Sequence, residues 1–466
     1  MRMHRLLVLA LLALVVAASA SAADRSYLVM GKAGAAPARV AADVVKAGGV
    51  VERTIPEVGI VVARSANPGF SAKAAGLASA QSVVPNLRLN WLPPTTAVAA
   101  STYGNPPTSG DDDFYFDLQW GHDAVDAPEA WNAGYRGAGV RVAVLDSGID
   151  CTQPDIEPNL NEGLSTSFVP GEGVCVQPGL YFNHGTHVAG TIAAPDNGYG
   201  TIGVAPEAEI VAVKVLSEYT GSGAFDWIIA GIVYAAKNGA DVINMSLGGY
   251  LKKGGFWDDN GTPEPEDDVF VTAREVTELK NAIGRATTYA YQKGSTVIAA
   301  AGNSGLDFDH TGSVVFVPAS APHVIAVAAT APLGWAVDSG VFLDNPASYT
   351  NFGQSAIDFA APGGDFQYLF VDPEALCTVG VVADYPCWLF DLVLGPCPGD
   401  YFWAAGTSMA APHVSGVAAI IIGGNGGSMP PAQVEAALRK AADDLGKPGN
   451  DDFYGAGRVN AANAVQ

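Results

Sequence analysis

Cysteine is scarce in this chain. There are five in 466 residues: Cys151, Cys175, Cys377, Cys387 and Cys397. An odd number cannot all pair within one molecule, so at least one thiol is free or shared between chains. None of the five has the neighbourhood of a Cys–His catalytic centre. Cys151 and Cys175 bracket a short loop and are the expected first pair, and the sequence does not choose among the other three. Positive charge is scarce too: 24 Lys and Arg stand against 47 Asp and Glu, a net charge of −23. Such a balance argues against nucleic acid or an anionic membrane as a partner. After the N-terminal segment no apolar run is long enough to span a bilayer. No repeat or low-complexity tract stands out, and 55 glycines with 30 prolines exclude a coiled coil.

The first residues read as a targeting segment. Met1-Arg2-Met3-His4-Arg5 is basic, residues 6–17 are apolar, and Ala18-Ser19-Ala20 and Ala20-Ser21-Ala22 are both A-x-A cleavage sites. A signal peptide over 1–22 is expected, with export, a secreted product and an environment that permits disulfides. Charge then divides unevenly. Residues 24–100 carry 8 Lys and Arg against 4 Asp and Glu, whereas residues 101–466 carry 14 against 43. Solubility explains an acidic surface. Attraction between a basic N-terminal segment and an acidic body, cation binding or a salty habitat are sharper explanations.

Patterning suggests two folded units. Strands at 26–30, 50–52, 58–63 and 83–89, with helices around Val40, Ala41, Val44 and Val45 and over 72–80, give the order β-α-β-β-α-β of a small α+β, ferredoxin-like split unit. A Pro-, Gly-, Ser- and Thr-rich linker begins at Pro93, runs through Gly110 and ends in Asp111-Asp112-Asp113; it is an expected processing site. From about residue 115 apolar strands at 140–145, 210–216, 242–247, 297–301 and 324–329 alternate with helices such as 227–238 and 272–293. That predicts an α/β fold with a doubly wound, mostly parallel sheet. No further domain is expected after it.

Four residues carry the chemistry. Asp146 follows the apolar run Val142-Ala143-Val144-Leu145, at the strand end where open α/β sheets gather functional groups. His184 opens His184-Gly185-Thr186-His187-Val188-Ala189-Gly190. Ser408 lies in Gly406-Thr407-Ser408-Met409-Ala410-Ala411-Pro412-His413, at the start of an apolar helix over 408–422. An alcohol becomes a useful nucleophile when an imidazole takes its proton and a carboxylate fixes the tautomer of that imidazole. A helix N-terminus at the nucleophile directs free N–H groups at a developing oxyanion. Asn303, in Ala300-Ala301-Gly302-Asn303-Ser304-Gly305, offers a side-chain donor to the same oxygen. His184 and His187 share a face and could hold a metal, but the H-E-x-x-H glutamate and a third ligand are missing. His187 is expected to be a buried structural histidine.

These motifs, in the order Asp…His…Ser, resemble those of subtilisin-like serine peptidases (subtilases) across roughly 115–466. Gly203-Val204-Ala205-Pro206 and Asn244-Met245-Ser246-Leu247-Gly248-Gly249 match as well, and 23–100 resembles the family's propeptide. The resemblance implies a secreted endopeptidase made as a pre-pro-enzyme, with a propeptide at 23–100, a linker at 101–114 and a peptidase domain at 115–466. It implies Ser408 as nucleophile, His184 as base and then acid, Asp146 as its orienting group, and Asn303 with the Ser408 N–H as oxyanion donors. Ser246-Leu247-Gly248 and Ala300-Ala301-Gly302 would form the two walls of the primary specificity pocket. The polypeptide substrate would pair with such edges, and the propeptide would template folding, inhibit the site and be removed by the enzyme itself.

The resemblance also implies a structural calcium ion with Asp155, Asp196 and Asn197 as ligands, the latter two from Pro195-Asp196-Asn197-Gly198-Tyr199-Gly200-Thr201; oxygen donors suit that ion. No cofactor is expected in the chemistry, and the enzyme is expected to be a monomer. Departures from the family are an acidic insertion at 250–270, a longer one at 364–404 that holds the last three cysteines, and Phe316, placed to narrow the specificity pocket. Two other readings remain: a catalytically idle binding protein on the same fold, and a transpeptidase or cyclase using the same acyl-enzyme.

Overall fold

A computed structural model describes residues 24–93, 96–99, 112–259, 268–379 and 382–466. The signal segment, most of the 101–114 linker and residues 260–267 of the acidic insertion lie outside the described residues.

The N-terminal unit is a four-stranded antiparallel sheet. Its strands lie in the order Val50–Ile55, Ile60–Ser65, Arg25–Gly31, Ala80–Pro85. The helices Pro37–Ala47 and Phe70–Ala75 complete the expected β-α-β-β-α-β sequence. Pro37 fits the first helical turn, where its missing N–H costs nothing, and Gly48 ends the helix in the left-handed region at φ 93°. Strand alternation divides the burial. Tyr27 and Val29 enter the unit's own core with Val40, Val44 and Phe70, while Leu28 and Met30 enter a core shared with the large unit. The small sheet is therefore covered on both faces.

Three expectations shift here. The helix over 72–80 is Phe70–Ala75, and Ala80 starts the next strand opposite Gly31. The strand over 58–63 begins at Ile60, because Pro56–Val58 forms a 3₁₀ turn closed by Gly59. The strand over 83–89 is broken in two. Pro85 brings no N–H to a ladder, Asn86 turns its side chain to Asp226, and Arg88–Asn90 joins a different sheet.

The large unit holds an eight-stranded sheet. Its main path runs Asn345–Pro346, Val324–Ala331, Thr296–Ala300, Val242–Met245, Arg141–Asp146, Glu209–Lys214, Thr166–Ser167, and Phe359–Pro362 also pairs with Val324–Ala331. All these pairings are parallel except that of Asn345–Pro346. Helices cover both faces. Val142 and Val144 face a core with the helices His184–Ala193 and Thr407–Gly424; Ala143 and Leu145 face the core with Phe225–Lys237 and Ala273–Lys293. A strand buried on both faces must be apolar at every position, which is what the sequence runs display. The expected α/β, doubly wound fold is the observed one. Thr407–Gly424 is long and apolar enough to cross a membrane, but it is the buried central helix.

Candidate active site

The carboxyl ends of the sheet strands deliver the site. Asp146 is the last residue of Arg141–Asp146, Ser246 follows Val242–Met245, and Asn303 lies just past Thr296–Ala300. His184 is the first residue of its helix, capped by the Asn183 side chain, which accepts from Thr186 N.

Asp146 and His184 are both buried and directly bonded, with His184 Nδ1 at 2.9 and 3.0 Å from the two carboxylate oxygens. Two groups that sequence reasoning passed over fix the carboxylate. Ser147 donates to Asp146 Oδ1 through its N–H (2.7 Å) and its hydroxyl (3.0 Å), and Asn183 Nδ2 donates to the Ser147 hydroxyl at 3.1 Å. Ser147 was visible in the Asp-Ser-Gly motif; Asn183 was visible as the residue before a helix start. His184 Nε2 is buried and makes no hydrogen bond.

Ser408 stands in the first turn of the central helix. Its hydroxyl donates to the Ser246 carbonyl at 3.1 Å, so the serine–histidine bond is not made in this conformation. The Ser246 hydroxyl donates back to the Ser408 carbonyl at 2.8 Å. That carbonyl would otherwise receive the N–H that Pro412 lacks, so the proline is accommodated by a side chain from the cleft wall. Asn303 is held by its oxygen: Oδ1 accepts from Thr407 N (2.9 Å) and Thr407 Oγ1 (2.7 Å). Its amide nitrogen is thereby turned toward Gly406. A Cβ added to Gly406 would lie 3.1 Å from Asn303 Nδ2 and 3.6 Å from Ser408 N. The space beside this glycine is faced by both candidate oxyanion donors, and a side chain there would fill it.

The site is approached by the chain's own N-terminal tail. Arg88–Asn90 pairs antiparallel with Ser222–Ala224. Trp91, fully buried, donates from its backbone to Gly221 O (3.2 Å) and from its ring to Gly223 O (2.7 Å), and accepts from Gly248 N (3.0 Å). Leu92 and Pro93 then border a cavity of about 270 Å³ that reaches Asn303 and Ser408. Val98–Ala99 pairs with Trp403 and Phe402 of the strand Asp400–Ala404, inside the long insertion. Arg88–Asn90 and Val98–Ala99 thus each pair with a strand of the large unit.

His187 lies apart from this chemistry. Its Nε2 is 3.2 and 3.1 Å from the Val393 and Phe402 carbonyls, and burial lowers its pKa to about 4. The expected metal residues separate. Asp196 pairs with Arg136 and lies with Asp112 and Asp113, their carboxylate oxygens within 4.8 Å of one another. Asp155 faces the other end of the loop. Its Oδ2 accepts from Thr201 N (2.7 Å) and Thr201 Oγ1 (2.8 Å), and its Oδ1 is buried without a hydrogen bond. Burial raises the Asp155 pKa to about 7. Asn197 Oδ1 accepts from Tyr199 N (2.9 Å), and Asn197 N reaches Asp113 Oδ1 at 3.4 Å. The Tyr401 hydroxyl lies against this buried carboxyl, oxygen donors of this kind suit calcium, and the sequence had not brought in Asp112 and Asp113. Disulfides join Cys151 to Cys175, the expected pair, and Cys377 to Cys387, leaving Cys397 as a buried thiol.

Known proteins resemble this chain along most of its length. Residues 137–457 match the model of the Subtilase family. Subtilisin NAT of Bacillus subtilis subsp. natto is 38% identical over 349 residues, covering 75% of this chain and 71% of the relative. Subtilisin Savinase of Lederbergia lenta is 37% identical over 349 residues, covering 75% and 99%. Among solved structures, the epidermin leader peptide processing serine protease of Staphylococcus aureus superposes with a TM-score of 0.71 at 23% identity, covering 95% of this chain and 98% of that one. A lanthipeptide protease superposes with a TM-score of 0.57 at 29% identity, covering 75% and 95%.

Proposed function

The chain belongs to the subtilase family of serine peptidases, which act on polypeptides, and from that premise we propose that it is a secreted endopeptidase working through Asp146, His184 and Ser408. In the reacting complex Ser408 exchanges its bond to the Ser246 carbonyl for one to His184 Nε2; catalytic hydrogen bonds commonly tighten only once substrate is bound. The hydroxyl proton passes to Nε2 as Oγ adds to the peptide carbonyl. Asp146 keeps the Nδ1 proton in place and stabilises the imidazolium. The oxyanion forms beside Gly406, between Asn303 Nδ2 and the Ser408 N–H. His184 returns its proton to the departing amine, leaving an acyl-enzyme, and a water molecule repeats the sequence to release the acid. No cofactor enters these steps.

The observation that carries the proposal is the tail clamped at Arg88–Asn90 and Trp91 along an edge that leads to Ser408. An extended strand added to a cleft edge is how a peptide substrate is held. We therefore assign residues 24–93 as an inhibitory propeptide and place self-cleavage between Pro93 and Val98, upstream of the 101–114 linker. Ionic contacts between the units support this role: Arg53 meets Asp226 at 3.0 Å, and Lys237 meets Glu57 at 2.5 Å. Residues 1–22 would direct export, and the mature enzyme would act as a monomer. A calcium ion would be held at Asp155, since Asp196 and Asn197 lie toward Asp112 and Asp113.

The test is maturation of the purified precursor. Ser408→Ala is expected to remain full length, while the wild type yields a mature chain starting between Pro93 and Val98. Normal maturation of isolated Ser408→Ala protein would refute self-processing, and release of amide products only with an added amine would favour a transpeptidase.

A further inference from the structure

The specificity recess has an aromatic floor. Tyr250 on Gly249–Lys252 and Phe316 on Val314–Val317 lie directly opposite in an antiparallel pair, with ring centroids 4.5 Å apart. Cross-strand aromatic pairs of this kind hold each other in place. Phe316 Cζ lies 2.1 Å from where a Gly248 Cβ would stand and 3.0 Å from where a Gly302 Cβ would stand. The tip of one ring therefore touches the backbone of both walls that the substrate side chain must pass between. Tyr250 Oη closes the same space, 2.7 Å from the Gly302 Cβ position.

Tyr250 is anchored in this floor by a hydrogen bond. Tyr250 Oη accepts from Asn351 Nδ2 at 2.8 Å, and that nitrogen also donates to Ala301 O at 2.7 Å. Asn351 Oδ1 accepts from Ser304 N and Leu306 N at 3.2 and 3.0 Å. The asparagine is fully buried and every one of these partners belongs to the pocket or the loop after it. Swinging Tyr250 out would cost its hydroxyl this bond, and Phe316, buried at 6% exposure, is held by packing against Tyr250 and the two walls.

We propose that Phe316 and Tyr250 restrict this enzyme to bonds that follow a small residue: glycine, alanine or serine. The inference rests on the proteolytic reading above. Large side chains such as phenylalanine and leucine meet the Phe316 ring before they are seated, and overfilling a packed site is unfavourable. The segment assigned to self-cleavage offers one residue of this class. Between Trp91 and Val98 the residues are Leu92, Pro93, Pro94, Thr95, Thr96 and Ala97. Leu92 lies against Gly221, and Ala97 is the one residue among them that fits the rule.

A mixed peptide library digested with the mature enzyme, with products read by mass spectrometry, tests the proposal. Cleavage after Gly, Ala and Ser is expected to exceed cleavage after Phe and Leu by at least ~10-fold in kcat/KM, and Phe316→Gly is expected to raise the Phe-to-Ala ratio by ~10–100-fold. If Phe316→Gly does not fold, Tyr250→Ala should move the ratio the same way. A wild-type preference for Phe, Leu or Met overturns the inference and leaves the peptidase reading standing. No cleavage of any peptide removes both.

Discussion

Asp146 and Asp155 are two buried carboxylates on one stretch of chain, and their surroundings differ in kind. Asp146 receives the Ser147 N–H, the Ser147 hydroxyl and the His184 ring, so both of its oxygens are bonded. Asp155 receives two donors on one oxygen from Thr201, while the other is buried and unbonded. A buried charge needs complete bonding or a counter-ion. The first carboxylate has its partners within the protein and can serve chemistry. The second has the Thr201 donors on one oxygen, the Tyr401 hydroxyl beside it and a proton that burial holds up to about pH 7, so it is not poised for the same chemistry.

Exchanging each for its amide should separate these roles. Asp146→Asn is expected to lower kcat by ~10⁴-fold, because an amide cannot fix the tautomer, with a melting temperature close to that of the wild type. A large loss of melting temperature in that variant would place Asp146 among the structural groups. Asn303→Ala should cost ~10²–10³-fold in kcat and also loosen Thr407, whose N–H and hydroxyl it holds; a change in KM alone would remove it from the oxyanion site. Asp155→Asn should keep most activity at room temperature and lose the response of the melting temperature to calcium. Excess chelator should lower the wild-type melting temperature by mass action, and an unchanged curve would count against the ion. The smallest effect is on pH. The Asp155 pKa is raised from 3.8 to about 7 in the folded protein, so the fold binds this proton more tightly than the unfolded chain does. With chelator present, stability should therefore fall as pH rises from about 4 to about 7 and level off above. With calcium that slope should vanish.

The strands and the reacting groups were legible because their signals are local. Val142, Ala143, Val144 and Leu145 are apolar in succession because both faces of their strand are covered, and Gly406 beside Ser408 marks a space that must stay empty. What escaped was contact between distant segments. Nothing near Pro85 indicates that Arg88–Asn90 leaves one sheet for Ser222–Ala224, and nothing near Tyr250 points to Asn351. The partner of Cys377 was likewise undecidable, since Cys387 and Cys397 both lie a short loop away; the fold turns Cys387 to it and buries Cys397 elsewhere. The resemblance groups Asp196 with Asp155, whereas Arg136, from another part of the chain, pairs with Asp196 at the other end of the loop.

The buried Cys397 gives the molecule a chemical mark of its folded state. Its sulfur lies 3.8 Å from the Asn183 carbonyl, next to the residue that starts the His184 helix, and Gln153 Nε2 binds its own carbonyl at 2.9 Å. Burial pushes its pKa well up, so the thiolate that alkylating reagents need scarcely exists in the closed protein. Iodoacetamide is therefore expected to leave this sulfur unmarked while the fold is intact and to mark it on unfolding.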